Sequence, residues 1–388
     1  MPEERLRTAD AVVVVGGIMG LSTAWHLAER GLSTVLFERE ASVGLGSTGR
    51  CAGGFRHQFS SEVNVRLSLE SVRMIREFSA THGLPLDVHV DGYLFLVRDE
   101  ASWAAYRAGA EMQRRVGARV ELLDAGAAGD LVPGLVVDGV VGATFGPDDG
   151  IADPSGLVNG YATLARRAGA GLRTGTSVSA IRTSRDGSRV VGIETDDGSI
   201  DAPIVVLAAG VWAPALAATC GVSLPVTPEP RQLVVTTPFP GRPGRRTLVI
   251  DTANMFFFHR EGDGLLMSVT PREPRVSFDT ANDDRFVADE LLPYAIGLLP
   301  ALERAALAHT WTGLYEMSPD RDAILGPVEG LAGLLLAAGF SGHGFQHGPI
   351  VGKILAEFAT GVTPTLDVRP LRLERFAAGQ ALVETHVV

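Results

Sequence analysis

A strand, a glycine turn, a helix and a second strand follow one another at the start of this sequence. The β-branched run at residues 11–15 has the length of a buried parallel strand, and the glycine-rich residues 16–20 come directly after it. An amphipathic pattern covers residues 21–30, and a second apolar run at residues 32–37 ends at Glu38. This order is typical of the βαβ unit that binds a dinucleotide, because glycines let the backbone approach the pyrophosphate and the helix N-terminus attracts its charge. It predicts an α/β, Rossmann-like fold.

The glycine fingerprint of this unit contains one departure. It calls for glycine at its first, third and sixth positions, which here are Val15, Gly17 and Gly20. Valine resists the positive φ of a tight turn, so one interpretation is that the turn starts one residue later, at Gly16. Glu38 follows Gly17 at about the 20-residue spacing of the acid that binds the ribose hydroxyls. The acid and the flanking strands therefore still predict a dinucleotide site.

Three further segments favour FAD over NAD as the dinucleotide. Residues 39–54 form a long glycine- and serine-rich loop, which suits a chain that runs beside a larger cofactor. Residues 204–212 have the pattern of a buried strand that ends in small residues, where another backbone can approach. Residues 338–346 precede a helical pattern at residues 349–360, so that helix N-terminal amides can stabilise negative charge on a reduced flavin.

With these segments in view, the chain resembles the D-amino-acid-oxidase superfamily, on the branch of sarcosine oxidase and its β-subunit-like relatives. The similarity runs nearly from end to end and is carried by the order and spacing of several motifs. These are GGIMGLS at residues 16–22, GFR at 54–56, DGYL at 91–94, AAGVW at 208–212, the segment 315–326 and the segment 339–346. The resemblance implies FAD and the oxidation of a carbon–nitrogen bond in an amine, often an N-methyl or cyclic amino acid.

The motifs and the resemblance together nominate a set of FAD-binding residues. They are Gly16, Gly17, Ile18, Met19, Gly20, Glu38, Arg39, Ser47, Thr48, Gly53, Gly54, Val178, Ala209, Gly210, Trp212, Gly339, Gly342, His343, Gly344, Phe345 and Gln346. Gly313 matches the cysteine that links covalently to FAD in the monomeric relatives, so the resemblance implies non-covalent FAD. Leu266 matches the lysine associated with the oxygen reaction, which favours a slow oxidase or a dehydrogenase over a fast oxidase.

Four residues are candidates for binding and orienting a substrate. Arg56 is the first choice for a carboxylate clamp, because a guanidinium binds carboxylate in a bidentate manner, and the structural alternative is a surface salt bridge. Tyr315 is expected to form a wall of the substrate pocket or, equally well, to be a buried tyrosine bonded to backbone. His343 contacts the flavin or substrate in one interpretation and only packs in the other. Gln346 replaces a lysine found in some members of the family. The reserve clamps are Arg260 and Arg321.

The FAD motifs lie near the beginning, the middle and the end of the chain, so the FAD-binding domain must be discontinuous. It is placed at residues 1–84, 150–221 and 325–388. The two insertions, residues 85–149 and 222–324, contain alternating strand-like runs. They predict a second, substrate-binding domain built on an antiparallel β-sheet.

The bulk composition argues against several other classes of protein. A net charge of −11 without a basic run argues against nucleic-acid binding. The two cysteines, Cys51 and Cys220, lie far apart, so a disulfide framework or a thiolate metal site is not expected, and no other metal site is predicted. The apolar run at residues 11–21 is too short for a signal peptide or a membrane span, so no membrane insertion and a cytoplasmic location are expected.

The leading hypothesis is FAD-dependent oxidation of a small secondary or N-methylated, sarcosine-like amino acid to an imine, which water hydrolyses. Oxygen, yielding hydrogen peroxide, or another acceptor would then reoxidise the flavin. The neutral amine is expected to react, because an ammonium has no lone pair, so activity should rise with pH. One alternative is a dye- or quinone-linked dehydrogenase of proline, a D-amino acid or a hydroxy acid. Others are a flavin-bearing subunit or assembly factor that mainly binds a partner, and, last, an NAD-only dehydrogenase. The chain length, similar to that of β-like subunits, permits a partner subunit, and a homo-oligomer is the other arrangement considered.

Overall fold

A computed structural model of the protein describes residues 7–386, so the outermost ends of the predicted FAD-binding domain, residues 1–6 and 387–388, lie outside the described residues. In chain order the strands are β1 (Ala11–Val14), β2 (Thr34–Glu38), β3 (Gly54–Phe55), β4 (Val88–His89), β5 (Tyr93–Val97), β6 (Glu121–Leu123), β7 (Gly142–Gly146), β8 (Gly150–Ala152), β9 (Gly171–Thr174), β10 (Val178–Thr183), β11 (Val190–Thr195), β12 (Gly198–Asp201), β13 (Ile204–Leu207), β14 (Thr227–Thr236), β15 (Leu248–Asp251), β16 (Phe256–Glu261), β17 (Gly264–Ser268), β18 (Leu307–Met317), β19 (Ile324–Pro327) and β20 (Leu334–Ala338). The α-helices are α1 (Ile18–Glu29), α2 (Glu62–His82), α3 (Glu100–Arg115), α4 (Ala125–Leu131), α5 (Pro154–Arg167), α6 (Ala213–Ala218), α7 (Asp284–Phe286), α8 (Leu292–Leu298) and α9 (Gly344–Ala359).

A six-stranded sheet, in the order β19-β20-β13-β1-β2-β9, forms the centre of the FAD-binding half. Strands β20, β13, β1, β2 and β9 run parallel, and β19 is antiparallel at one edge. β1 lies between β13 and β2, with Val14 opposite both Leu207 and Phe37. Its four residues are all buried, as a continuous β-branched run in a parallel sheet requires. The Rossmann-like α/β fold is thereby confirmed.

Helices α1, α5, α9 and α2 cover one face of this sheet and enclose an apolar core. Helices α1 and α9 approach closely because glycines of α9 face α1. A Cβ added to Gly352 would lie 2.2 Å from the Ser22 hydroxyl, and one added to Gly348 would lie 2.6 Å from the Ile18 side chain. The other face packs against the small antiparallel sheet β10-β11-β12 and helix α6.

Helix α9 begins at Gly344, five residues before the predicted start at Pro349. A proline inside a helix lacks the N–H that would bond to the preceding turn. Here a neighbouring side chain enters the helix ladder: the Ser71 hydroxyl donates to Gln346 O at 2.5 Å and accepts from the Ile350 N–H at 3.4 Å. The inserted hydroxyl lets the helix continue through the proline, which no local pattern indicates.

The second half is built on an eight-stranded sheet, in the order β18-β14-β17-β16-β15-β5-β7-β6. Its pairs are antiparallel except for β15 and β5, which run parallel with Val249 opposite Leu94. Because β5 and β15 come from different insertions, no hairpin joins them and either direction is open to them. The predicted antiparallel sheet is therefore present with one parallel junction. No helix among residues 7–386 is long and apolar enough to cross a bilayer.

Candidate active site

The glycine turn after β1 begins at Val15, which has a φ of 85°. Gly16 is not among the residues with positive φ, so the interpretation that the turn starts at Gly16 is wrong. The Val15 N–H donates to Phe37 O at 2.8 Å, which holds the turn to the end of β2. The left-handed conformation costs a β-branched residue about 1–2 kcal/mol. Packing of the valine side chain against the apolar cluster behind the sheet offsets part of that cost.

The N-terminus of α1 has the form of an anion site. Gly17 is the N-cap residue of the helix and makes no side-chain cap hydrogen bond to the first turn. From the loop after β2, the Thr48 hydroxyl accepts from the Ile18 N–H at 3.3 Å. A helix start with glycine at its N-cap presents its remaining backbone N–H groups and the positive end of the helix dipole. The turn therefore fits the pyrophosphate of a dinucleotide.

The end of β2 carries the acid expected at the ribose. The Glu38 carboxylate accepts from the Gly16 N–H at 2.8 Å and from the Glu40 N–H at 2.9 Å, which sets its orientation at the carboxyl edge of the sheet. Next to it, the Arg39 guanidinium lies 4.1 Å from the ring centroid of Trp212, the last residue of the 3-10 turn after β13. Two of the predicted cofactor segments therefore meet at this edge.

The remaining predicted FAD residues are placed in three ways. Backbone turns at the carboxyl ends of β13 and β20 contain Ala209, Gly210, Gly339 and Gly342, and Gly344 begins α9 after the second turn. The side chains of Ile18, Met19 and Phe345 are buried in the helical core, so that only their backbone is free to face a cofactor. Val178 begins β10 and packs against the same apolar cluster as Val15.

The loop between β2 and β3 is tied to the other sheet by close contacts. The Ser47 hydroxyl donates to Leu314 O at 2.7 Å. A Cβ added to Gly53 would lie 2.4 Å from Ala152 O, and one added to Gly54 would lie 1.8 Å from the Tyr93 hydroxyl oxygen. The glycines thus let the loop pass between the two halves of the protein.

The four residues predicted to meet the substrate line one cavity between the sheets. Its walls come from the loop 52–56, strands β5, β15, β16 and β18, and the turn before α9. The lining residues are Ala52, Gly54, Arg56, Tyr93, Leu248, Ile250, Phe257, Tyr315, Ser341, Gly342, His343 and Gln346. Arg56 is the one residue in this set with a permanently charged side chain.

The Arg56 side chain is buried and is not a surface salt bridge. Its guanidinium donates to the carbonyls of Gln58 and His386 and lies 3.9 Å from the ring centroid of Phe59. Burial lowers its pKa, while Glu384 and Asp149 act in the opposite direction. These two carbonyl contacts leave N–H groups of the five-donor guanidinium available for a ligand. The C-terminal segment that contains His386 therefore orients Arg56. Sequence patterns do not indicate this contact.

The side-chain amide of Gln346 hydrogen-bonds to the backbone of Arg56 and to Ser68. Its Oε1 accepts from the Arg56 N–H at 2.9 Å, and its Nε2 donates to Arg56 O at 2.9 Å and to the Ser68 hydroxyl at 2.9 Å. The amide thus has a partner for its acceptor and for both donors. Gln346 positions Arg56 through these bonds, although it lines the cavity.

His343 is the outer end of a buried hydrogen-bonded chain. Its Nε2–H donates to Arg321 O at 3.2 Å, so in the neutral ring Nδ1 accepts from the Nδ1–H of His347, 3.3 Å away. The Nε2 of His347 then accepts from the Ser68 hydroxyl at 2.9 Å. Burial lowers the pKa of His343 to about 4, so its ring is neutral near pH 7. The hydrogen bonds then fix the tautomers of both His343 and His347.

Tyr315 forms a wall of the cavity, and two charged neighbours of this residue were missed in the sequence. A Cβ added to Gly342 would lie 2.5 Å from the Tyr315 ring, so the turn needs glycine there. On β14, the buried Arg231 lies 5.1 Å from the same ring centroid and forms an ion pair with Glu229 at 2.9 Å. The half-buried Glu316 follows on β18. The signal that identifies these two residues is a buried charge beside a predicted site residue. This signal exists only in the folded chain.

The reserve clamps, His57 and the two positions with family counterparts lie outside the cavity lining. Arg260 donates to the carbonyls of Gly262 and Gly244, and the exposed Arg321 contributes its carbonyl to His343; neither reserve clamp lines the cavity. His57 pairs with the buried Asp149 at 2.6 Å. At the positions with family counterparts, Leu266 is buried in β17, and a Cβ added to Gly313 would lie 3.3 Å from the Arg50 Cβ.

Comparison with known proteins gives a family match over most of the chain. The family model described as FAD dependent oxidoreductase matches residues 10–358. The chain is 29% identical to FAD-dependent oxidoreductase domain-containing protein 1 of Xenopus laevis, over 100% of this chain and 86% of that protein. It is also 29% identical to mitochondrial sarcosine dehydrogenase of Homo sapiens, over 95% of this chain but only 41% of that protein.

Solved structures with the same fold include two amino-acid oxidoreductases. L-proline dehydrogenase from P. horikoshii superimposes with a TM-score of 0.88 at 31% identity, over 96% of this chain and 99% of that one. Glycine oxidase from Geobacillus kaustophilus gives a TM-score of 0.84 at 27% identity, over 95% and 99% of the two chains. The glycine turn after β1, the acid after β2 and the matched family together identify this chain as a member of the FAD-dependent oxidoreductases of the D-amino-acid-oxidase superfamily.

Proposed function

We propose that this chain oxidises the carbon–nitrogen bond of a small secondary or N-methylated amino acid and that Arg56 binds the substrate carboxylate. The observation that carries the proposal is the cavity itself, in which Arg56 is the one permanently charged group among neutral and apolar lining residues. A buried guanidinium surrounded by such walls selects a ligand with a carboxylate at one end and little other charge.

The surrounding residues have separable roles in this proposal. Bound FAD supplies the acceptor for the hydride equivalent that leaves the carbon next to nitrogen. Gln346 and the C-terminal segment hold Arg56, so the carboxylate is received at one position. Leu248, Ile250 and Phe257 form apolar walls that exclude water. We propose non-covalent FAD, because Gly313 has no side chain that could link to it.

We propose that the pH dependence of activity comes from the amine of the substrate and not from a side chain of the protein. The titratable side chains that line the cavity are Arg56, Tyr93, Tyr315 and His343. Burial raises the pKa of both tyrosines and lowers that of His343 to about 4, so none of them changes charge between about pH 6 and pH 9. The amine of the substrate must therefore arrive neutral or lose its proton to water, and activity rises with pH.

Anaerobic mixing tests the substrate class. Sarcosine, other N-methyl amino acids, proline and D-amino acids are each mixed with the holoenzyme while flavin absorbance is followed. An N-methyl or secondary amino acid is expected to bleach the flavin, and the matching amine without a carboxylate is expected to react at least tenfold more slowly. Equal rates with and without the carboxylate would contradict the assignment.

Arg56→Lys tests the clamp, with Arg260→Lys as the matched control. Arg56→Lys keeps the charge but loses the bidentate fork, so KM for the carboxylate substrate should rise by about tenfold or more. Arg260 lies outside the cavity, so its variant should retain the KM. The reverse pattern would assign the reserve arginine instead.

Proline oxidation by a dehydrogenase is the second candidate, favoured by the similarity to L-proline dehydrogenase from P. horikoshii at 31% identity. The only lysine in the chain, Lys353, lies in α9, where it forms an ion pair with Glu357 at 3.9 Å, and Leu266 occupies the matched position. A site without a lysine favours an acceptor other than oxygen. Rapid return of the flavin colour when air is admitted would oppose this, and return only with a dye or quinone would support it.

A further inference from the structure

Glu316 lies where two of the predicted cofactor turns converge. It is next to the carboxyl end of β18, and its Oε2 accepts from the Gly339 N–H at 3.0 Å. A Cβ added to Gly210 would lie 3.8 Å from Oε2, and one added to Gly344 would lie 3.6 Å from Oε1. These turns follow β13 and β20, at the edge of the sheet where α/β proteins bind their ligands.

Side chains alternate along β18, so Glu316 and Tyr315 point to opposite faces of the strand. Tyr315 faces the substrate cavity and the Glu229–Arg231 ion pair of β14. Glu316 faces the glycine turns, and it remains half-buried there. The Glu316 carboxyl therefore lies among the turns after β13 and β20, which form the cofactor groove, and not in the lining of the substrate cavity.

Among the described residues, no cationic side chain pairs with the Glu316 carboxyl, because the cations around it have other partners. Arg50, on the adjacent loop, donates to Thr312 O at 3.0 Å, and Arg39 stacks over Trp212. Arg231 is bound to Glu229 on the other face of the sheet. His343 donates to Arg321 O and is neutral.

Burial raises the pKa of Glu316 to about 7, and the Gly339 and Phe340 N–H groups reduce that effect. An ionised carboxylate would add negative charge to a groove that receives an anionic dinucleotide, whereas a neutral carboxyl can donate its O–H to a dinucleotide oxygen.

We propose that Glu316 is a cofactor-contacting residue that binds FAD as a neutral carboxyl, so that FAD binding takes up one proton from solvent. The proposal rests on the FAD requirement of the family and is independent of the substrate proposed above. When FAD dissociates, the Glu316 carboxyl ionises and returns this proton to solvent. No other covalent bond is formed or broken.

The dissociation constant of FAD tests this directly. Holoenzyme is diluted at pH 6.5 and at pH 8.5, and free FAD is measured by its fluorescence. For the wild type, the dissociation constant should be at least about tenfold larger at pH 8.5, since one coupled proton permits up to tenfold per pH unit. In Glu316→Gln, which keeps a neutral hydrogen-bonding group, the two values should agree within about twofold.

Asp322→Asn is the matched control. Asp322 is a buried carboxyl whose pKa burial also raises to about 7, but it contacts Asn64 and Ser61 and lies away from the groove. This variant should keep the wild-type pH dependence of FAD binding. If it loses that dependence as Glu316→Gln does, the coupling belongs to folding and the proposal is overturned.

Two further measurements protect the test from a folding defect. Glu316→Asp retains a titrating carboxyl and should keep a pH-dependent dissociation constant. In weakly buffered solution near pH 8, a pH indicator should record about one proton released for each FAD lost from the wild type. No proton release, or a dissociation constant that does not change with pH, would show that Glu316 contacts FAD as a carboxylate or not at all.

Discussion

A Cβ atom added to Gly20 would lie 1.9 Å from the carbonyl oxygen of Val15. This contact joins the first turn of α1 to the end of β1, and it explains why the third glycine of the fingerprint is retained although the first is a valine. Residue 15 has the left-handed conformation at this contact although its side chain is that of valine.

Gly20→Ala should displace the start of α1 and weaken FAD binding by at least about tenfold, because an added methyl cannot fit beside a backbone oxygen. The dissociation constant of FAD measures the effect. Gly297→Ala is the control, since a Cβ there meets open space. Equal affinities in the two variants would mean that the helix start can shift without disturbing the phosphate site.

Replacement of Val15 should reverse the usual order of alanine and glycine. Both substitutions lose the same valine packing, but alanine keeps the strain of a Cβ at a φ of 85° and glycine does not. Val15→Gly should therefore be more stable than Val15→Ala by about 1 kcal/mol in free energy of unfolding. Denaturant titration decides it; an alanine variant that is the more stable would refute the strain.

Gln346→Glu should be destabilised in a pH-dependent way. The glutamate keeps the acceptor for the Arg56 N–H but, when ionised, places a carboxylate oxygen against Arg56 O where the amide donated. The loss in free energy of unfolding should be about 2 kcal/mol near pH 8 and should shrink as the pH falls and the carboxyl is protonated. Thermal unfolding of variant and wild type at each pH checks this, and Gln346→Met should show a loss that does not depend on pH.

Stability should fall as the pH is lowered from about 6.5 to 4. Burial lowers the pKa of a group of histidines, which in the unfolded chain bind protons near pH 6.5. They are His26, His259, His343, His347 and His386. Because the unfolded state binds more protons in this interval, each histidine contributes up to about 1.4 kcal/mol per pH unit of lost stability.

Two carboxyls act in the opposite direction. Glu316 and Asp322 have a pKa raised to about 7 by burial, so the folded state holds their protons and gains stability as the pH falls from 7 towards 4.5. The histidines outnumber them, and the melting temperature should therefore be lower at pH 5 than at pH 7. His26→Gln, which removes one of the histidines, should make this difference smaller. A melting temperature that rises on acidification would contradict the assignment.

The local pattern of the sequence was sufficient for the βαβ unit. Strand β1 and helix α1 follow from short-range periodicity and glycine placement, and Glu38 lies at the end of β2 as its spacing indicates. Motif order was also sufficient to bring Arg56, Tyr315, His343 and Gln346 to one cavity. Their proposed roles remain predictions, as do the domain boundaries.

Local sequence patterns did not predict the details that depend on contacts between distant segments. The parallel pairing of β5 with β15, the continuation of α9 through Pro349 and the hold of the C-terminal segment on Arg56 each join residues far apart in the chain. Periodicity reports which face of an element is apolar, because that depends on neighbouring residues. Burial of Glu316 and the tautomer of His343 depend on which groups the folded chain places around them, and that was decided only by the tertiary structure.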